Sequence, residues 1–281
     1  MTPDAYCQTK AAARGTSLHY ATLLLPPIRR RALIAVGAYA KEIETLASGV
    51  NDSALAQTKL QWWRAETDRL IAASPSHPVT QAMAAVCAEL PKLPTADLVA
   101  LIDGAEASLR QTRFLDYADL SSHYASTDRA LARLALGALG GDPSALPAIE
   151  RLAHSLRLIG LIANLGAAVR RGLLGLPIDD LRRFEVKAAD VMAGRYVAGW
   201  PALMQQQAGR ARVAWAQTLE QLPAAAQRPL RPVLILGQIA QRQLDEIESE
   251  NFEVLHQRVA LTPLTRFRLA WRTAVFGPRV R

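Results

Sequence analysis

Cysteine, lysine, aromatic side chains and long apolar runs are all scarce in this 281-residue chain. Its two cysteines, Cys7 and Cys87, follow no pairing pattern. That excludes a disulfide scaffold and a zinc cluster and fits a reducing compartment; both thiols are expected to be buried and inert. Only 16 Gly and 16 Pro stand among residues that are 50% hydrophobic, which excludes a disordered, collagen-like or low-complexity chain. Uncharged stretches such as 15–28 and 196–209 fall short of the ~20 apolar residues that span a bilayer. The N-terminus has no basic-then-apolar leader pattern, so the expected location is the cytoplasm, or peripheral on the inner face of the membrane.

Lysine is scarce because arginine replaces it. Of 33 basic residues five are Lys, leaving 33 − 5 = 28 Arg, against 25 acids, for a net charge of +8. Planar guanidinium forks suit phosphate, diphosphate and anionic membrane surfaces. A GC-rich coding bias produces the same excess, and both readings stand.

Apolar residues recur at three- and four-residue spacings nearly throughout, and alternation over a strand length is hard to find. The pattern predicts an all-α domain with helices over 3–14, 27–49, 53–74, 78–89, 95–114, 117–140 and 144–171, and further helical segments within 188–222 and 223–250. Leu25-Pro26-Pro27 stops one helix and starts the next, and Gly140-Gly141-Asp142-Pro143 is a tight loop. No composition shift or repeat divides residues 1–260. Residues 261–281 differ: five arginines and no acid, interleaved with Phe267, Leu269, Trp271, Val275 and Phe276, make a basic amphipathic segment. Either its aromatics face lipid while its arginines meet anionic headgroups, or it is a terminal helix that packs those aromatics on the body.

Hydrolase and phosphate-loop signatures are absent: there is no GxSxG, and 137–142 lacks the Lys-Ser/Thr ending of a phosphate loop. The five histidines have no ligand spacing, and dispersed arginines without a groove-reading motif argue against nucleic acid. Of Trp62 and Trp63, adjacent in a helix, one is expected in the core and the other partly exposed.

A run of ordered marks then becomes specific. Gly15-Thr16-Ser17-Leu18-His19-Tyr20, Leu24-Leu25-Pro26-Pro27, Arg29-Arg30-Arg31-Ala32, Lys59-Leu60-Gln61-Trp62-Trp63-Arg64, His77-Pro78-Val79, Arg170-Arg171-Gly172 and Leu244-Asp245-Glu246-Ile247 resemble the squalene/phytoene synthase family in the family's order. Asp179-Asp180-Leu181-Arg182-Arg183-Phe184 and residues 258–272 look most like the bacterial presqualene diphosphate synthase branch. The resemblance implies an all-α, single-domain, isoprenoid (trans-prenyl) synthase-like helical bundle around a central cavity. It also implies head-to-head condensation of two prenyl diphosphates, with two aspartate-rich motifs holding the magnesium ions that ionise the diphosphate.

The chain departs from that pattern at the metal motifs. The first, D-D-x-x-D, aligns with Glu44-Thr45-Leu46-Ala47-Ser48 after Lys41, so one carboxylate of three remains. The second, D-x-x-E-D, aligns with Asn164-Leu165-Gly166-Ala167-Ala168, where none remains. The hallmark between them is rewritten as residues 123–131. The nearest spare acids, Glu42 and Asp52, do not restore the spacing, and Glu42 reads as an ion-paired helix residue. With five of six ligands gone, no catalytic residue and no metal are expected; magnesium remains the alternative. The expected ligand-facing residues are Ser17, Tyr20, Arg29, Lys41, Glu44, Ser48, Asn164, Arg170 and Arg171, lining a cavity for a diphosphate or prenyl chain. Function is expected as a catalytically degenerate prenyl-lipid or diphosphate binding protein, or an assembly protein for a protein partner. The alternative is an active magnesium-dependent head-to-head prenyl diphosphate transferase of presqualene/squalene or phytoene synthase type, alone or with a paralogue. An isoprenoid or prenyl diphosphate ligand, and a membrane surface met through 261–281, are the further expected partners.

Overall fold

The computed structural model describes residues 1–49 and 53–279. Its helices are α1 (Pro3–Ala11), α2 (Ser17–Thr22), α3 (Pro27–Gly49), α4 (Ser53–Ile71), α5 (Pro78–Glu89), α6 (Leu98–Arg110), α7 (Tyr117–Leu139), α8 (Leu146–Ala163), α9 (Leu165–Val169), α10 (Ile178–Arg183), α11 (Ala188–Met192), α12 (Trp200–Gln221), α13 (Ala224–Gln227), α14 (Arg231–Ser249) and α15 (Pro263–Phe276). No strand occurs among the described residues. The all-α expectation is met.

The helix starts follow local chemistry. Thr2, Thr16, Asp116 and Thr262 cap α1, α2, α7 and α15, each side-chain oxygen accepting a backbone N–H of the first turn. Pro27 and Pro78 open α3 and α5, where a missing N–H costs nothing. At the other end, α7 stops at Gly140, whose φ of 64° is cheap only for glycine.

Tertiary packing then divides the apolar residues between two large clusters. One gathers α1 and α3 to α7, with the start of α8 and parts of α12 and α14, around fully buried Tyr39, Leu60, Met83 and Leu134. The other gathers α8 to α12 and α14 around Trp200, Leu203, Met204 and Leu244. Each fully buried side chain of this size contributes about 1.5–3 kcal/mol. A smaller cluster joins α2, α14 and α15 through Ala21, Ile235, Ile239, Ala270 and Ala274. α8 packs against α7, α12 and α14, which makes it the central helix of the second half.

Three expectations need correction. The single helix over 144–171 is broken at Asn164, whose backbone (φ −106°, ψ 9°) leaves the helical range. The physical reason is close approach: a Cβ on Gly166 would stand 2.4 Å from the carbonyl oxygens of both Val254 and Leu255, so the turn at 164–166 is shaped by that backbone lying on it. Asp180, which the sequence offers either as loop or helix-cap chemistry or as a metal ligand, with the former favoured, is buried in the first turn of α10, where it meets Arg210 of α12. The expectation for the terminal segment is half right. α15 does pack on the body, through Ala270, Thr273 and Ala274, while Phe267, Trp271 and Phe276 stay exposed.

Smaller expectations hold. Trp63 is core and Trp62 is 44% exposed. Glu42 pairs with Lys10 at 3.0 Å and accepts the Tyr6 hydroxyl at 2.6 Å. Cys7 is buried as expected, and burial foremost pushes its thiol up to about 12; Cys87, expected to be buried too, is only half-buried, and burial shifts its thiol upward.

Candidate functional site

Along α8 the residues fall into two sets. Ala148, Ile149, Leu152, Ser155, Leu158, Ile159 and Ile162 are buried. Ala153, His154, Arg157, Gly160, Leu161 and Asn164 form a more open stripe at three- and four-residue spacing, continued by Ala167 and Ala168 of α9. Arg157 lies seven residues before Asn164 and shares its helix face. The resemblance aligns the Asn164 end of this stripe with the second metal motif, and the stripe carries no carboxylate and one arginine.

What polar groups the stripe does have are engaged with the protein itself. The Asn164 side-chain amide donates to the Gly160 carbonyl at 2.8 Å, one turn back along its own helix. Arg157 donates through Nε to Asp128 of α7 at 3.2 Å, and its guanidinium lies 4.8 Å from the centre of the Tyr124 ring. Asp128 is 3% exposed and also bonds His154 Nδ1 at 3.2 Å; His154 Nε2 reaches the Tyr117 hydroxyl at 2.9 Å. Arg210 lies 4.2 Å from the Tyr117 ring centre and pairs with Asp180, which Gln207 also reaches at 3.0 Å. Burial raises the Asp180 carboxyl, but the Arg210 and Gln207 hydrogen bonds bring it below the ordinary range. The result is one polar chain joining α7, α8, α10 and α12, with Arg157 and Asp180 at its ends.

The expected ligand-facing residues are dispersed. Lys41 and Glu44 sit together on α3, Nζ to carboxylate at 2.9 Å, both more than half exposed. Arg29 stands 15 residues earlier on the same helix, about 22 Å away at 1.5 Å per residue. Its guanidinium donates to the Gly137 and Ala138 carbonyls at 3.3 and 3.2 Å, satisfying the end of α7. Arg170 donates to the Leu255 carbonyl at 3.3 Å, and Arg171 is exposed. Ser17 and Tyr20 lie on α2, where Tyr20 meets Phe267 of α15 edge-on at 5.9 Å. The side chain of Ser48, like Asp52, lies outside the described residues. Sequence reasoning missed Asp128, His154, Arg157 and Arg210. The available signal was the seven-residue spacing from Arg157 to Asn164 and the new acid inside the rewritten segment 123–131.

Magnesium, which the family normally uses, does not fit the described donors. It wants several oxygen ligands, at least one or two of them carboxylates. On one wall the aligned positions are Asn164, Ala167 and Ala168, with Arg157 two turns away; on the other, Glu44 already holds a lysine ammonium. Among the described residues no three His, Cys, Asp or Glu side chains come together as a metal site.

The helical architecture is that of isoprenoid synthases. The chain superposes on a dehydrosqualene synthase solved with a ligand (TM-score 0.83, 16% identity, 96% of this chain and 94% of that one). It also superposes on squalene synthase HpnC from Alicyclobacillus acidocaldarius (TM-score 0.74, 18% identity, 89% and 94%). At those identities the likeness establishes the fold. Sequence carries it further: the squalene/phytoene synthase family model matches residues 11–265, and the chain belongs to that family. The chloroplast phytoene synthase of Narcissus pseudonarcissus is 23% identical over 272 residues, 94% of this chain. The chain spans 64% of that relative's length.

Proposed function

We propose that this chain is a catalytically degenerate squalene/phytoene synthase-like protein, a metal-free binder of a prenyl lipid or prenyl diphosphate, or an assembly protein built on that shape. The observation that carries the reading is the α8–α9 stripe. Where family chemistry needs three carboxylates, the chain has an asparagine bonded to its own helix and two alanines, with a guanidinium in line with them. A diphosphate carries roughly three negative charges, and its departure into an apolar pocket needs divalent cations to neutralise them. Losing most of two metal shells, when one misplaced supporting group commonly costs ~10–100-fold, removes that step. What supports binding is that the polar groups of the stripe are already engaged, leaving Ala153, Gly160, Leu161, Ala167 and Ala168 as partly exposed apolar surface on a helix held by α7, α12 and α14.

Equilibrium dialysis with labelled farnesyl diphosphate tests the reading. Affinity unchanged between magnesium and EDTA is expected; a tenfold or greater dependence on magnesium would overturn it. Extraction of the purified protein followed by mass spectrometry separates the two arms, a stoichiometric prenyl lipid marking the binder and its absence the assembly protein.

A further inference from the structure

A cleft of about 850 Å³ opens between α12, α14 and α15. Five arginines line it, and a single aspartate. Two are neutralised: Arg212 pairs with Asp245 and Glu248, and Arg242 with Glu246. Arg268, Arg272 and Arg279 have no acidic partner among the described residues, and residues 254–279 contain no acid at all. The Nε of Arg272 is buried and makes no hydrogen bond, so a donor inside the cleft is unanswered. Desolvating such a group without an acceptor is costly, and it is an invitation to an oxyanion.

Next to the arginines on the same helix lies an exposed apolar stripe. At 100° per residue, Leu264, Phe267, Trp271 and Val275 fall within about 80° of one another. They are 67%, 45%, 55% and 50% exposed. Arg268 and Arg272 follow on the next 60° of the surface, and Ala270, Thr273 and Ala274 take the side packed on the body. The arginine-lined cleft and the apolar stripe therefore open side by side. α15 is held at both ends: Arg266 donates to the Gly15 carbonyl at 2.7 Å, and the Arg279 backbone N–H donates to Gln238 at 2.9 Å. The surface is built before anything docks on it.

We infer that α15 and the cleft beside it form a docking surface for an anionic phospholipid bilayer. The stripe enters the headgroup and acyl boundary, and Arg268, Arg272 and Arg279 grip lipid phosphates. An aromatic pair at the stripe's centre, flanking arginines, and no acid on α15 itself are complementary to a surface that is apolar below and negative above. A protein partner offering the same match would need an acidic rim around an apolar groove. The inference does not depend on whether the chain catalyses.

Vesicle flotation of the full chain tests it, comparing phosphatidylcholine with phosphatidylcholine containing 30% phosphatidylglycerol. Binding at least tenfold stronger to the anionic vesicles is expected, weakening in 0.5 M salt as the charges are screened. R268Q/R272Q is expected to lose roughly 25-fold, about fivefold per arginine at the membrane surface. F267S/W271S should abolish binding without unfolding the chain, since both side chains are exposed. Should R268Q/R272Q fail to fold, R268Q/R279Q, which alters only exposed side chains, carries the same expectation. Equal binding to neutral vesicles, unchanged binding by the arginine variants, or capture of a protein through α15 with no vesicle binding would each overturn the inference.

Discussion

Replacing Asp128 by asparagine tests the polar chain behind the site wall. The side chain is 5% exposed, and it holds Arg157 and His154 at 3.2 Å each, both themselves largely covered. The amide would keep the shape and lose the charge, leaving Arg157 buried against Tyr124 without a counter-ion. Breaking a buried pair by removing one partner costs about 3–5 kcal/mol, and because Arg157 retains 23% of its exposure the lower figure applies. A loss of about 3 kcal/mol lowers the melting temperature of a chain this size by roughly 6–12 °C. Urea unfolding followed by circular dichroism measures it, with the denaturant slope held equal between variants. In the cycle with Arg157→Met, the double variant D128N/R157M should recover part of the loss, because both charges then disappear together. A D128N cost below 1 kcal/mol, or no recovery in the double variant, would refute the description of this chain as a tightly coupled buried network.

Two further substitutions probe the supports of the fold. Glu66 is fully buried and accepts the Ser76 and His77 N–H groups at 2.8 Å each, with the Ser76 and Thr80 hydroxyls. Burial alone would raise its carboxyl, yet these donors hold it at about 2. A folded-state value below the unfolded one makes stability present above pH 4.5 and lost as pH falls toward 2. The wild type should thus lose on the order of 3 kcal/mol across that window, while Glu66→Gln, weaker at pH 7, should show a much flatter profile in urea titrations. Gly166→Ala places a methyl group 2.4 Å from two carbonyl oxygens, and an overpacking cost of about 1–3 kcal/mol is expected in the same assay, with the 252–255 segment losing hydrogen-exchange protection first.

Much of this was legible in the sequence, for identifiable reasons. Helices Pro27–Gly49 and Pro78–Glu89 were readable to the residue because proline marks their first turn and the apolar period runs unbroken. Helix Ser17–Thr22 was not, since six residues are too few to display a period, and its one signal is the capping hydroxyl of Thr16. The break at Asn164 was hidden because good helix formers surround it. The backbone of Val254 and Leu255, some 90 residues away in sequence, lies against Gly166 just after the break, a contact no local pattern displays. The departure from the family's metal motifs rests on the resemblance alone, because a missing aspartate is read locally. The Asp128–Arg157–His154 cluster was invisible because its members join from two helices, and no local pattern links them. In the terminal segment the aromatics drew the eye, whereas the small residues Ala270, Thr273 and Ala274, at three- and four-residue spacing, were the ones that decided which face packs inward.

Placement also alters the meaning of the arginine excess. Arg29 closes the end of α7, Arg64 bridges to Asp103 and Glu106, and Arg266 fastens the terminal helix, so many of the 28 act as ties between helices. Arg268 and Arg272 of α15, with Arg279 just beyond it, are among the cations without an acidic partner among the described residues, and they share one cleft.

The central claim is the loss of diphosphate ionisation. Its most direct test is release of inorganic diphosphate by the purified full chain given farnesyl diphosphate and magnesium. No release above a heat-denatured control is the predicted result, and steady turnover above that control would contradict the account.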